Sequence, residues 1–125
     1  MFADTQAISI FAVDDLGTAE QFYGQTLGVK VSRMEEMPLL TLQLAGGRDT
    51  MVYEKPDFVP ATYTILNFVV PDVAAAVDGL AERGVELERY EGFDQDDRGI
   101  ARGMGPDIAW FKDPAGNVLA VLEEM

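Results

Sequence analysis

Read for period alone, the chain alternates short apolar runs with stretches whose apolar positions recur at helical spacing. Residues 7–13 (AISIFAV) are an apolar run closed by Asp14-Asp15. Leu16, Ala19, Tyr23 and Leu27 then recur at helix-turn intervals until Gly28, which predicts a strand followed by an Asp-capped helix. Residues 29–35 read as a second strand, residues 39–45 (LLTLQLA) alternate as a third, Gly46-Gly47 turns, and residues 50–54 (TMVYE) return. The predicted order is β-α-β-β-β. Residues 55–62, with Pro56 and Pro60, break the pattern and read as a linker.

The same order then begins again. Residues 64–70 (TILNFVV) predict a strand; Asp72 caps a helix with Val73, Ala76, Val77 and Leu80 on one face; Gly84 ends it; and residues 85–90, 107–112 and 118–122 predict three further strands. Phe11, Val13 and Asp15 match Phe68, Val70 and Asp72 at one constant offset, while Val52 and Glu54 match Val121 and Glu123 at a longer one. Residues 91–105 (EGFDQDDRGIARGMG) absorb the difference. The expectation is a single domain, 1–125, of two repeated modules, 5–55 and 63–125, joined by residues 56–62.

Composition narrows the chemistry. The chain has no Cys and no His, so disulfides, thiolate nucleophiles, imidazole bases and His-containing metal sites are unavailable. Any metal site must use oxygen ligands. Nine basic against 22 acidic side chains give a net charge of −13, the wrong sign for a phosphate backbone, so no nucleic acid partner is expected. No membrane partner is expected either, and residues 1–6, short and containing Asp4, do not read as a signal peptide, so a cytoplasmic location is expected. Several of the acids, Glu91, Asp94, Asp96 and Asp97, fall in the inserted loop, where they either attract a cationic ligand or simply aid solubility. Asp14-Asp15 and the Asp113-Pro114, Gly116-Asn117 pair read as a helix start and a turn, and Glu54 and Glu123 as solvated strand ends.

The run VDDLGTAEQFYGQTLGV resembles the first-helix signature of the vicinal oxygen chelate superfamily, the glyoxalase, bleomycin resistance and extradiol dioxygenase proteins. FKDPAGNVLAVLE resembles its closing turn and final strand, and VPDVAAAVDGLAERGV its second helix. The resemblance implies an α+β fold: two tandem βαβββ modules forming a curled mixed sheet around a cavity, commonly in a homodimer. Its enzymes hold a divalent metal at four positions, which fall here on Ile8, Met51, Ile65 and Ala120. None of these side chains suits a hard divalent ion, and one-residue slips supply no carboxylate or imidazole, so no metal and no cofactor is expected.

Alternation then proposes the ligand-facing wall: Ile8 and Ile10 from the first strand, Thr41 and Gln43 from the third, Met51 and Tyr53 from the fourth, Ile65 and Asn67 from the second module's first strand, with Trp110 and Ala120. Leu40, Leu42 and Leu44 form a row suited to lie under a helix. The expected partner is a small, cationic aromatic ligand that is held and not converted. Two alternatives stay open: a superfamily enzyme of lyase, dioxygenase or isomerase type with Tyr53, Glu54 or a loop Asp carrying a proton, and a non-catalytic accessory module.

Overall fold

Strand β1 (Ser9–Val13) and strand β4 (Thr50–Glu54) lie side by side and parallel, a pairing that requires a long crossover between them. The crossover runs through helix α1 (Leu16–Gln21), strand β2 (Lys30–Met34) and strand β3 (Leu39–Gln43), and β3 pairs antiparallel with both β2 and β4. The sheet order is β1-β4-β3-β2. This is a computed structural model; it describes residues 1–103 and 105–124, gathered into two compact units, Met1–Val59 and the chain from Pro60 onward.

In the first unit the register sets Phe11 beside Val52 and Val52 beside Leu40, so Val13, Leu40, Leu42 and Val52 share one face with Phe11. All four are buried, as are Leu16, Ala19 and Tyr23 of the helical segment. Full burial of each such leucine contributes about 2 kcal/mol. Leu44 lies beyond the end of β3 and does not extend the row. The predicted helix does not run unbroken to Leu27. After Gln21 it widens into a π-helical turn, Phe22–Thr26, closed by the Leu27 N–H on the Phe22 carbonyl at 2.9 Å. The wider turn brings two consecutive rings inward: Phe22 and Tyr23 are both buried and meet edge to face at 5.2 Å. Gly28, at φ 73°, then takes the left-handed step that sends the chain into β2.

The second unit repeats the scheme with strand β5 (Thr64–Val70), helix α2 (Val73–Glu82), strand β6 (Ile108–Lys112) and strand β7 (Val118–Glu123), in sheet order β5-β7-β6. β5 and β7 are parallel, β6 and β7 antiparallel. Residues 85–90 are not the predicted strand. Their backbone meets β6 at an isolated bridge, Leu87 to Phe111, with the Glu88 N–H bonded to the Trp110 carbonyl. The reason is competition: the Gln95 side chain takes the Tyr90 N–H and the Glu88 carbonyl, which ladder pairing would otherwise use.

Each helix begins under two carboxylates. Asp15 accepts from the Thr18 N–H and Asp72 from the Ala75 N–H, as their positions predict. Glu54 and Glu123, read from sequence as solvated strand ends, reach back to the helices instead: Glu54 accepts from the Leu16 N–H at 2.9 Å and Glu123 from the Val73 N–H at 3.3 Å. The end of each parallel strand thus neutralises the positive end of its own crossover helix. Among the described residues no helix is long and apolar enough to cross a membrane.

Candidate functional site

Opposite the helix-covered side, each sheet has a second face, and the expected wall residues distribute over these faces unit by unit. In the first unit Ile10 pairs with Met51, Met51 with Thr41 and Thr41 with Ser32, a single row across four strands. Tyr53 stands in the next row beside Ala12 and Leu39. Gln43 is on the same face and donates from Nε2 to Ser32 Oγ at 2.6 Å. Ile8 departs from the expected placement: it precedes β1, is 57% exposed, and lines an open hollow of about 520 Å³ with Arg48 and Asp49.

In the second unit Asn67 pairs with Ala120 and Ala120 with Trp110. Ile65 falls out of the expected row because the register slips between Thr64 and Leu66, leaving it in a bulge without a facing partner. Trp110 and Phe111, equivalent by composition, are separated by the pleat. Phe111 is buried with Leu119 on the helix side, while half-buried Trp110 shares the other face with exposed Asn67.

Trp110 is not alone there. The Phe93 ring lies 5.1 Å from it and the Tyr90 ring 5.6 Å, with Tyr90 and Phe93 6.5 Å apart. Phe93 is 43% exposed. Neither Tyr90 nor Phe93 was singled out from the sequence; their only signal there is a pair of rings three residues apart, where the predicted strand 85–90 runs into the acidic loop. Burial raises the Tyr90 phenol above its ordinary pKa, with Glu88 adding to the effect, so the group is a neutral phenol. Among the described residues, Glu91 and Asp94, on either side of Phe93 in sequence, join no ion pair, whereas Glu88 meets Lys112 at 3.5 Å. The wall is therefore aromatic, with uncompensated negative charge in the loop that supplies it.

That loop is ordered by its own polar groups. The Asp96 carboxylate accepts from the Ile100 and Arg98 N–H groups, both at 2.9 Å, and from Arg102 at 3.4 Å. Ile100 and Ala101 are buried, and Ala101 exchanges both backbone bonds with Ile108 at the start of β6. Led by the bond from Ile100, these donors hold the Asp96 carboxyl below its ordinary pKa of 3.8. The unfolded chain therefore binds this proton more tightly. The carboxylate stabilises the loop in full above about pH 4 and loses that contribution as pH falls through the lower folded value. Trp110 emission is expected to stay constant on acidification to about pH 4 and to shift below it, with Asp96→Asn showing the shifted emission already at neutral pH; an Asp96→Asn spectrum identical to wild type refutes this role.

Where the resemblance places metal ligands, the structure presents Ile8 outside the sheet, Met51 and Ala120 in the open-face rows, and Ile65 in a bulge. Among the described residues no three carboxylates gather as a metal-ligating group. The residues present at these positions do not fit the divalent ion that the resemblance implies.

Residues 6–121 match the family model described as Glyoxalase/Bleomycin resistance protein/Dioxygenase superfamily. Among curated proteins none matches the sequence significantly. Solved structures of similar fold include a glyoxalase family protein of Enterococcus faecalis (23% identity, covering 98% of this chain and all of that one, TM-score 0.69). A glyoxalase family protein of Bacillus anthracis is 21% identical, with full coverage of both chains and a TM-score of 0.71. TnmS3, an antibiotic binding protein from Streptomyces sp. CB03234, is 22% identical, covering 98% of each chain with a TM-score of 0.70.

Proposed function

Because the chain belongs to the glyoxalase/bleomycin resistance protein/dioxygenase superfamily, we propose that it uses that fold to bind and sequester a small planar aromatic compound, of positive charge, without a divalent metal. The observation that carries this reading is the Tyr90, Phe93 and Trp110 cluster beside exposed Asn67. Such a surface offers stacking area to a flat ligand and a carboxamide to orient it. Glu91, Asp94 and the net charge of −13 favour a cation and oppose an anion of the same shape. The antibiotic binding relative supports a holding role for the fold. The metal positions supply only hydrocarbon and one thioether, which supports binding over Lewis-acid chemistry.

The functional form is a homodimer. Ile8, Ile10 and Val69 stay more than half exposed, and the outer strands β1 and β5 carry no charge to keep another chain away. Sedimentation velocity at micromolar concentration checks this, and a purely monomeric boundary refutes it.

The binding reading is tested with proflavine, a planar cation, against the anionic dye 8-anilinonaphthalene-1-sulfonate. Trp110 is the single tryptophan, so its quenching reports occupancy directly. Proflavine is expected to quench it saturably, with affinity falling as salt rises, and to raise the melting temperature by mass action. The anionic dye is expected to bind more weakly. No saturable quenching by proflavine, or tighter binding of the anion, rejects the reading.

A further inference from the structure

The two modules differ most where the chain leaves residues 30–34 or 85–90 for the next strand. In the first unit residues 35–38 make that connection; in the second it takes residues 91–107, and the extra chain supplies Phe93. We propose that this insertion is the ligand-specificity element of the protein and that Gln95 is its positioning residue. The inference rests on the reading of the aromatic wall as the ligand site.

The geometry around Gln95 is that of a brace. Its Oε1 accepts from the Tyr90 N–H at 2.9 Å, and its Nε2 donates to the carbonyls of Glu88 at 3.0 Å and Gly99 at 2.7 Å. One carboxamide thereby ties both limbs of the loop together, next to the residue whose ring packs on Trp110. Its donors and acceptor are matched to three backbone groups that would otherwise pair in a ladder or face water. Gly99, at φ 88°, is buried at the far contact, where an added Cβ would come within 3.2 Å of Leu87. With Ile100 and Ala101 buried just beyond, the loop's return limb is anchored, and Gln95 transmits that anchorage to Tyr90. Without the brace, the 91–94 segment keeps the long bond from the Phe93 N–H to the Tyr90 carbonyl at 3.4 Å, which holds Phe93 to Tyr90 but ties neither ring to the anchored return limb. A ligand then has to order the wall as it binds, which weakens affinity without removing any contact.

The test uses the full chain and three readouts: Trp110 emission without ligand, proflavine affinity, and thermal melting. Gln95→Met keeps the side chain's length and removes both polar functions. The expected result is a red-shifted Trp110 emission, a proflavine Kd raised about tenfold, and a cooperative melt well above the assay temperature. Should that variant not fold, Gln95→Asn, which keeps the carboxamide on a shorter stem, is expected to give the same shift and the same loss. Unchanged emission and unchanged Kd overturn the proposal, as does a Kd that rises only in step with the unfolded fraction. Failure of the wild-type chain to bind proflavine overturns the functional reading instead, and the emission of the variant then decides on its own whether Gln95 sets the wall.

Discussion

Replacing Trp110 with alanine is expected to weaken proflavine binding tenfold to a hundredfold while leaving the protein folded. The indole is half-buried, pairs through Ala120 with exposed Asn67, and is the ring that both Tyr90 and Phe93 pack against. Stacking of a flat ligand on such a ring is worth about 1–3 kcal/mol, and truncation also removes the surface that orients the other two. The cost to folding is smaller, since the side chain already meets solvent and its neighbours are not all confined to the core. The variant removes the intrinsic fluorophore, so the measurement follows the dye's own emission. A second variant, Trp110→Phe, separates area from identity: it is expected to recover most of the affinity. If Trp110→Ala binds proflavine as the wild type does, the aromatic cluster is packing between loop and sheet and not a ligand surface.

Alternation makes the choice between adjacent Trp110 and Phe111 binary, and the structure puts Phe111 on the buried helix side and Trp110 on the opposite face. The same logic carried Ile10, Thr41, Met51 and Tyr53 onto one face of the first sheet, where Thr50–Glu54 and Leu39–Gln43 alternate cleanly and are flanked by Gly and Pro. It failed wherever a side chain competed with the backbone ladder. Residues 85–90 carry a strand pattern, yet Gln95, from a segment with no period of its own, takes the bonds that would have made the strand. A bulge displaced Ile65, and no residue type near it marks the slip. Glu54 and Glu123 looked like solvated ends because a carboxylate one step beyond an apolar run is usually just that; their capping partners lie in helices far away along the chain. The rings of Tyr90 and Phe93 were missed for the same reason. Local pattern encodes which elements form and which face is apolar, whereas a loop folded over a sheet is encoded by polar contacts that have no period.

Phe111 makes the complementary case, and Phe111→Ala is expected to destabilise the protein by about 3–5 kcal/mol. Its side chain is 1% exposed, it faces Leu119 across the β6–β7 pair, and the Leu87 bridge that holds the 85–90 segment against the sheet is made to this residue. Truncation therefore leaves a cavity in the second unit's core and loosens the backbone bridge through which the loop's first limb meets β6. A loss of that size is a large part of the stability of a domain this long and lowers the melting temperature by about 10–20 °C. Chemical denaturation followed by Trp110 emission measures it, with Phe111→Leu, which refills most of the volume, expected to recover more than half. The contrast with its neighbour is the sharper result. At a temperature where both variants are folded, Phe111→Ala is expected to hold proflavine within a few-fold of wild type, whereas Trp110→Ala is not. A Phe111→Ala protein as stable as the wild type would mean that the helix-side face of this sheet is not the core, and that the assignment of opposite faces to the two rings is reversed.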